Sequence, residues 1–316
     1  MTTGSDFYLL TPDAVLQAAE FAGFRPTGEL TQLNSYENRV FDLRLEDGKN
    51  IIAKFYRPQR WSEKSILEEH SFLKELRSEG IEVIAPLEIH AEKTLLRWNN
   101  LWTAFFPKFR GRLPNELLPN DRRKVGRLLA RIHNVGAQKE FRHRPVMDES
   151  WQNAFSALKV LEPIISLELK GRYLEAAETI IEAHRDIIDP KEFIRIHGDV
   201  HRGNLLTDTR EFFFVDFDDC MMGPVVQDFW MLLSGDNETD IAELEEILSG
   251  YEELRSFPEH QWEWVPILRG LRIIGYAAWI ARRWQDPSFP RIFPEFGTYR
   301  YWAEETESLE KIAWKI

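Results

Sequence analysis

Two polar side chains, five residues apart, precede an apolar strand in the segment HGDVHRGNLL, residues 197–206. Asp199 and Asn204 have the spacing of a phosphoryl-transfer loop, in which the Asp orients the attacking hydroxyl and the Asn binds Mg²⁺. Such a loop needs a second metal-binding Asp on the next hairpin arm, and Asp216 follows the apolar run FFFV. Mg²⁺ prefers oxygen ligands and usually keeps several waters, which suits this small set. These residues predict Mg²⁺-dependent transfer of a phosphoryl group from ATP, with catalytic roles for Asp199 and Asp216.

A second carboxylate follows Asp216 closely, because Asp218 stands two residues further on. In an extended segment, residues at this spacing project to the same side. We therefore expect that both carboxylates can face one cation, and the sequence leaves open whether Asp218 binds metal.

The same loop allows a different metal site. His197, Asp199 and His201 have a spacing that fits zinc or iron in a hydrolase or oxygenase. This alternative leaves Asn204 unused, and no other His or Cys falls in a clear partner motif. We expect His197 to hydrogen-bond backbone near the loop, whereas His201 and Arg202 could equally contact phosphate, the acceptor or only solvent.

The composition restricts partners and compartment. A net charge of −12 and a pI near 5.3 argue against binding to nucleic acid, which needs an excess of basic residues on one face. A single cysteine, Cys220, excludes an intramolecular disulfide and fits a reducing compartment. The most apolar late stretch, residues 267–284, is interrupted by Arg269, Arg272 and Arg282, so we expect no membrane span. No signal peptide is recognised, and we expect a cytoplasmic monomer.

The periodicity divides the chain into two lobes. The first hundred residues predict a small sheet with a capped helix from Thr11, a hairpin turning at Asp47-Gly48, and strands joined at Asn99-Asn100. A helical period also runs from Ser62 to the residue before Gly80. From Pro107 onward the pattern is helical, apart from one hairpin around TDTRE. We therefore predict an α+β fold with a β-rich nucleotide-binding lobe, residues 1–106, and a mainly helical catalytic and acceptor-binding lobe, residues 107–316.

The segment IHGDVHRGNLL, followed by VDFDD, resembles the HGDxxxxN loop of the aminoglycoside phosphotransferase and choline kinase-like families, relatives of the protein kinases. The resemblance implies a bilobal kinase-like fold with Asn204 and Asp216 as metal ligands. It also implies that Lys54, in IIAKFYRP, contacts the nucleotide phosphates. Glu69, in SILEEHSFLKEL, would be its partner and is favoured over Glu68 on motif alignment.

Five further segments resemble more closely the stress response kinase A family of bacterial Ser/Thr protein kinases: LNSYENRVFDL, KFYRPQRWS, ILEEH, FFPKFRGR and CMMGPVVQDFWMLLSG. This implies phosphorylation of Ser or Thr in proteins, autophosphorylation and a role in stress survival. No GxGxxG loop is present, and Ser35 becomes the ATP-contact candidate in its place. Phe106 belongs to the connecting segment expected against adenine. A small-molecule kinase for an aminoglycoside, choline or homoserine-type acceptor, and a nucleotide-binding scaffold without transfer activity, are the alternatives.

Overall fold

The structure is a computed structural model that describes residues 7, 10–109, 111–147, 150–208, 211–233 and 238–316. Its amino-terminal part contains one antiparallel sheet of five strands in the order β1-β2-β3-β5-β4. The strands are β1 (Pro26–Leu33), β2 (Arg39–Leu45), β3 (Asn50–Phe55), β4 (Leu96–Trp98) and β5 (Leu101–Pro107). Two helices accompany the sheet, α1 (Pro12–Phe21) and α2 (Glu63–Ser78).

The carboxyl-terminal part is mainly helical and carries two small antiparallel ribbons, β6 with β9 and β7 with β8. Its helices are α3 (Pro119–Gly136), α4 (Ser150–Leu161), α5 (Leu167–Ile187), α6 (Gln227–Trp230), α7 (Glu238–Glu252), α8 (Val265–Arg282), α9 (Phe289–Ile292) and α10 (Tyr299–Ala313). Its strands are β6 (Ile194–Ile196), β7 (Leu205–Thr207), β8 (Phe212–Phe214) and β9 (Met221–Gly223). The predicted α+β class is confirmed, as is the hairpin that interrupts the helices.

Local signals place the amino-terminal elements where the sequence predicts them. Thr11 caps α1 by accepting a hydrogen bond from the Ala14 N–H at 3.2 Å. Gly48 turns the β2–β3 hairpin at a φ of +81°. Asn99 and Asn100 both take positive φ between β4 and β5. These turns set the register that pairs Lys54 of β3 with Val40 on one side and Ala104 on the other.

The two faces of the sheet have different partners. Ala53, Phe55 and Phe105 pack with α1 in one apolar cluster. Ala104 and Phe106 pack with Ile66 of α2 in another cluster. Since side chains alternate along a strand, Lys54 points to the face that α2 covers. The strand period therefore brings the lysine of β3 towards the glutamates of α2.

The core of the carboxyl-terminal part extends under α2, because Phe72, Leu73 and Leu76 of that helix join the large cluster built by the later helices. The chain passes between the two parts after β5, and Arg110 in this connection lies outside the described residues. The lobe boundary at residue 106 stays a prediction. In the part of the chain that the structure describes, no helix is long and apolar enough to cross a membrane.

Helices α3 and α7 cross with their backbones in contact. A Cβ on Gly126 would lie 1.9 Å from the carbonyl oxygen of Ile247, so only glycine permits this approach. The crossing brings His133 of α3 within 3.0 Å of the Tyr251 hydroxyl of α7. This buried pair lies next to the loop of residues 197–199, called the HGD loop.

Candidate active site

Asp228 supports the HGD loop by hydrogen bonds to its backbone. Its buried carboxylate accepts hydrogen bonds from the backbone N–H groups of His197 at 2.9 Å and Gly198 at 2.8 Å. The Nε2 atom of His133 lies 3.1 Å from the same carboxylate. Gly198 has a φ of +84°, and a Cβ there would lie 2.4 Å from the carbonyl oxygen of Asp219. The loop can therefore turn towards Asp199 only with glycine at this position.

We predict that Asp228→Asn lowers the free energy of unfolding by about 1–3 kcal/mol, because an amide nitrogen would then face a buried backbone donor. The variant should also lower kcat by about 10²-fold, since a displaced loop displaces Asp199. Urea unfolding and steady-state phosphoryl transfer measure the two effects. An unchanged urea midpoint would contradict the supporting role of Asp228.

His197 shapes the loop through backbone contacts, as expected. Its Nε2 donates to the Val215 carbonyl at 3.0 Å, and its Nδ1 accepts from the Asp199 N–H at 3.3 Å. With both nitrogens engaged, His197 is not presented to a metal. Among the described residues, no group of three or more His, Cys, Asp and Glu side chains is arranged to hold a metal ion. The geometry therefore gives no support to the zinc or iron alternative.

Asp199 lies at the end of this loop with both carboxylate oxygens in contact with neighbours. Arg272 of α8 donates to Oδ1 at 2.9 Å. Asn204 Nδ2 lies 3.4 Å from Oδ2 and donates to the Asp199 carbonyl at 3.0 Å, and His201 Nε2 lies 3.5 Å from Oδ2. Burial raises the pKa of Asp199, but His201 and Arg272 outweigh burial and hold the pKa well below its ordinary value. Asp199 is therefore an anion near neutral pH.

Asn204 and Asp216 are brought to neighbouring positions by the β7–β8 hairpin. The Val215 N–H donates to the Asn204 carbonyl at 2.9 Å, so Asp216 follows directly after this link. Asn204 donates through its amide nitrogen, which leaves its amide oxygen as the group suited to a cation. The Asp216 side chain is 58% exposed. An amide oxygen and an accessible carboxylate fit a hard divalent cation such as Mg²⁺.

Lys54 contacts three carboxylates at the base of the cleft. Its Nζ lies 2.9 Å from Asp218, 3.7 Å from Asp216 and 3.9 Å from Glu69. Burial lowers the pKa of Lys54, but Asp218 and Glu69 outweigh burial and raise the pKa well above its ordinary value. The structure thus brings together Lys54, Glu69 and Asp216. Glu68 instead accepts three backbone N–H groups of residues 142–144.

Glu69 is almost fully buried, and its Oε2 atom has no hydrogen-bond partner within the described residues. Burial raises its pKa to about 7, although Lys54 and Arg144 act in the opposite direction. Lys54 is closer to Asp218 than to Glu69. Glu69 is therefore a weaker partner of Lys54 in this state than the motif alone implies.

The extended backbone expected from Asp216 to Asp218 is not present, although both carboxylates face one cation, the Lys54 ammonium, at 3.7 and 2.9 Å. Asp216 has left-handed backbone angles, with φ +62° and ψ +64°, so the chain is no longer extended at this point. Asp218 is buried, where Arg60 and Asn38 contact one of its oxygens and Lys54 contacts the other. Its carboxylate balances buried cations, whereas that of Asp216 faces the cleft.

The segment LNSYENRVF stands in place of a glycine-rich loop. It makes hydrogen bonds within itself and contacts at the end of α8. Ser35 Oγ accepts the Asn38 N–H at 3.2 Å, within the loop itself. Glu37 contacts the end of α8, because it accepts from Trp279 Nε1 at 2.8 Å and pairs with Arg283 at 2.6 Å. Phe106 lies on the Lys54 face of the sheet, with its ring edge-on to His70 at 6.1 Å. Among the described residues, no hydrogen bond, ion pair or ring contact joins Ser35 or Phe106 to Asp199.

Several residues of the site were not predicted from the sequence: Asn38, Arg60, Arg144 and Arg272. Arg60 and Asn38 stand in segments quoted for the family resemblance, but their types alone suggested no role. Arg144 donates to the Asp218 and Cys220 carbonyls. Arg272 is one of the arginines that interrupt the apolar stretch 267–284, and this interruption is the sequence signal of a polar helix face towards Asp199.

Relatives of this chain are named as kinases, and the matching family is named for phosphotransferases. The model of the phosphotransferase enzyme family matches residues 29–264. Stress response kinase A of Escherichia coli (strain K12) is 37% identical over 303 residues, which cover 95% of this chain and 92% of that protein. The serine/threonine protein kinase RdoA of Salmonella typhimurium (strain LT2) has the same identity and coverage.

Solved structures agree on the fold. The amicoumacin kinase hAmiN, in complex with AMP-PNP and Ca²⁺, aligns with a TM-score of 0.74 at 18% identity over 95% of this chain and 93% of that chain. A spectinomycin phosphotransferase with ADP and spectinomycin aligns with a TM-score of 0.68 at 15% identity over 97% and 98%. The predicted bilobal kinase-like fold is confirmed, and so is the expectation of an ATP-dependent phosphotransferase. The chain belongs to the phosphotransferase enzyme family and, within it, to the relatives of stress response kinase A.

Proposed function

We propose that this chain is a Ser/Thr protein kinase that transfers the γ-phosphoryl group of ATP with Mg²⁺, can phosphorylate itself and acts in a bacterial stress response. The observation that supports this chemistry is that two groups of residues lie together in one cleft. One group is Lys54, Glu69 and Asp216, and the other is Asp199 and Asn204. Their link is the backbone hydrogen bond between Asn204 and Val215, next to Asp216.

In this proposal ATP lies between the lobes, with adenine near Phe106 and phosphates near Lys54 and the loop that contains Ser35. Asn204 and Asp216 would hold Mg²⁺, which neutralises phosphate charge when bound. The acceptor hydroxyl oxygen forms a bond to the γ-phosphorus while the bond from that phosphorus to the bridging oxygen breaks. ADP leaves, and Asp199 accepts the hydroxyl proton late in the transfer.

The low pKa of Asp199 is compatible with this role. A loose transition state needs the hydroxyl to be oriented more than it needs a strong base. Asn204 donates to both the side chain and the carbonyl of Asp199, so orientation is provided by the loop itself. Positioning and charge neutralisation then supply most of the rate enhancement.

The protein acceptor is favoured by the names of the relatives at 37% identity. The solved structures that act on small molecules are below 20% identical and support only the fold. A small-molecule acceptor stays the alternative, since one fold serves many substrates. The cytoplasmic location and the monomeric state stay predictions.

The test is transfer of label from γ-labelled ATP, with Mg²⁺ or with EDTA. The acceptors are the chain itself, an acidic and a basic generic protein, an aminoglycoside, choline and homoserine. We expect Mg²⁺-dependent label on protein Ser or Thr, and its loss in Asp216→Asn. Label confined to one of the small molecules would overturn the protein kinase assignment. Retained ATP binding with no label anywhere would favour the scaffold.

A further inference from the structure

The candidate catalytic base is covered by a guanidinium. Arg272 donates a hydrogen bond to Asp199 Oδ1 at 2.9 Å, while Asn204 and His201 contact the other oxygen. An acceptor hydroxyl must hydrogen-bond one of these oxygens before transfer. Oδ1 accepts from Arg272 alone among the described residues, so the acceptor hydroxyl must bind Oδ1 beside Arg272 or in its place.

Arg272 is the partner best able to move away. Its long side chain is 43% exposed on α8, whereas Asn204 is buried and also bonded to the Asp199 backbone. Asn204 is in addition the proposed metal ligand. His201 is exposed as well, but it contacts Oδ2 at the longer distance of 3.5 Å. Arg272 is therefore the partner that an acceptor hydroxyl at Oδ1 would shift.

A shifted Arg272 loses its carboxylate partner. Glu243, the carboxylate that pairs with Arg202 in the same region, is already shared with Arg122 at 2.7 Å. Within the described residues, Asp199 is the carboxylate that the structure pairs with Arg272. A guanidinium binds carboxylate or phosphate oxygens with charge-assisted, often bidentate hydrogen bonds. An anionic group on the acceptor would supply the missing partner.

The surroundings of Arg272 suit a polypeptide segment. Tyr276 lies one helical turn further along α8, and its ring is exposed and stacked on Trp279 at 5.5 Å. Tyr36, from the loop that replaces the glycine-rich loop, is exposed on the same side and contacts Phe293, which also contacts Tyr276. Aromatic surface beside an arginine is typical of sites that bind peptide.

We infer that Arg272 selects acceptors whose target hydroxyl is flanked by an acidic group, a carboxylate or a phosphate, and that this group draws Arg272 from Asp199 as the hydroxyl binds. The inference rests on the proposed function, because it names the substrate class of that same site. Arg272 is then a specificity-determining residue, and the net charge of the acceptor segment controls access to Asp199.

The test uses peptides of one length, each with a single Ser and no unmodified Thr or Tyr. The residues that flank this Ser are Glu, phosphothreonine, Gln or Lys. The measured quantity is kcat/KM at saturating ATP and Mg²⁺ for the wild type, Arg272→Gln and Arg272→Lys. Arg300→Gln is the matched control, since Arg300 also pairs with a carboxylate at 2.9 Å and is exposed on α10. For the wild type we expect a preference of about tenfold for Glu over Lys flanks, from one charge-assisted contact.

In Arg272→Gln this preference should fall to less than about twofold, mainly through KM, whereas Arg272→Lys should keep part of it and Arg300→Gln all of it. A residue that only oriented Asp199 would instead lower kcat equally for every peptide, and that result would overturn the inference. A wild type that labels all peptides equally would overturn it too, with the proposed function intact. A stronger preference for the phosphothreonine flank than for Glu would identify phosphate as the anion that Arg272 binds. No label on any peptide, with ATP bound, would overturn the proposed function and the inference together.

Discussion

Asp199→Asn should reduce kcat for phosphoryl transfer by about 10²–10⁴-fold, the usual contribution of a positioned acid-base group. The amide keeps the shape of the side chain, so the loop and its support from Asp228 should persist. It cannot accept the hydroxyl proton, and it offers Arg272 a neutral partner in place of a carboxylate. ATP affinity should change little, because Lys54 and Asp216 remain in place. Single-turnover transfer and titration with a fluorescent ATP analogue measure the two quantities.

Asp186→Asn is the control for this substitution, since Asp186 is an exposed carboxylate that also pairs with an arginine, Arg185 at 3.0 Å. The control should retain wild-type turnover. If Asp199→Asn kept more than about a tenth of wild-type kcat, a group other than Asp199 would have to orient the hydroxyl, since so small a loss lies below the range for a general base.

Lys54→Met should lower both stability and turnover. It leaves Glu69, Asp216 and Asp218 close together without the cation that lies among them. Removing one partner from a buried ion pair costs about 3–5 kcal/mol of unfolding free energy. Loss of the phosphate contact should also weaken ATP binding and reduce kcat/KM by at least about 10²-fold. Urea unfolding and steady-state kinetics test the two parts.

The stability loss in Lys54→Met should depend on pH in a defined direction. Without Lys54, the pKa of Glu69 in the folded state rises above the value of about 7 that burial already gives it, and the pKa of Asp218, which Lys54 helps to lower, rises as well. A carboxyl group whose folded pKa lies above its unfolded value destabilises the fold as pH rises above the unfolded value. The deficit relative to wild type should therefore be smaller at pH 5 than at pH 8.

Lys49→Met controls for loss of a lysine in the same sheet, because Lys49 is exposed at the hairpin turn and pairs with Asp47. It should unfold like the wild type at both pH values. A Lys54→Met deficit that grew towards pH 5 would contradict the view that uncompensated carboxylates cause the instability.

The elements and the principal motifs were predictable because their signals are local. Thr11 marks the start of α1, and Gly48 marks the β2–β3 turn, each through contacts within a few residues. The separation of Asp199 and Asn204 belongs to a single loop. The preference for Glu69 over Glu68 came from motif alignment, and the structure places Glu69, not Glu68, beside Lys54.

Asp218 shows where local reasoning stops. The extended segment assumed for Asp216 and Asp218 is interrupted by a left-handed backbone at Asp216. The reversal turns Asp218 into the interior, towards Arg60 and Lys54, which lie more than 150 residues earlier in the chain. No periodicity contains that information, because the partners are supplied by another lobe.

The fold class, the phosphoryl-transfer loop and the lysine and carboxylates that accompany it are predictable from the residues, because turns, caps and motif spacings act over a few positions. Which charges meet depends on contacts between distant parts of the chain. The tertiary structure placed Arg272 on Asp199 across 73 residues and Glu37 on Arg283 across 246. The physical reason is that ionic contacts depend on distances of a few ångströms in space, and only the packing of α8 against the HGD loop and of the lobes against each other sets those distances.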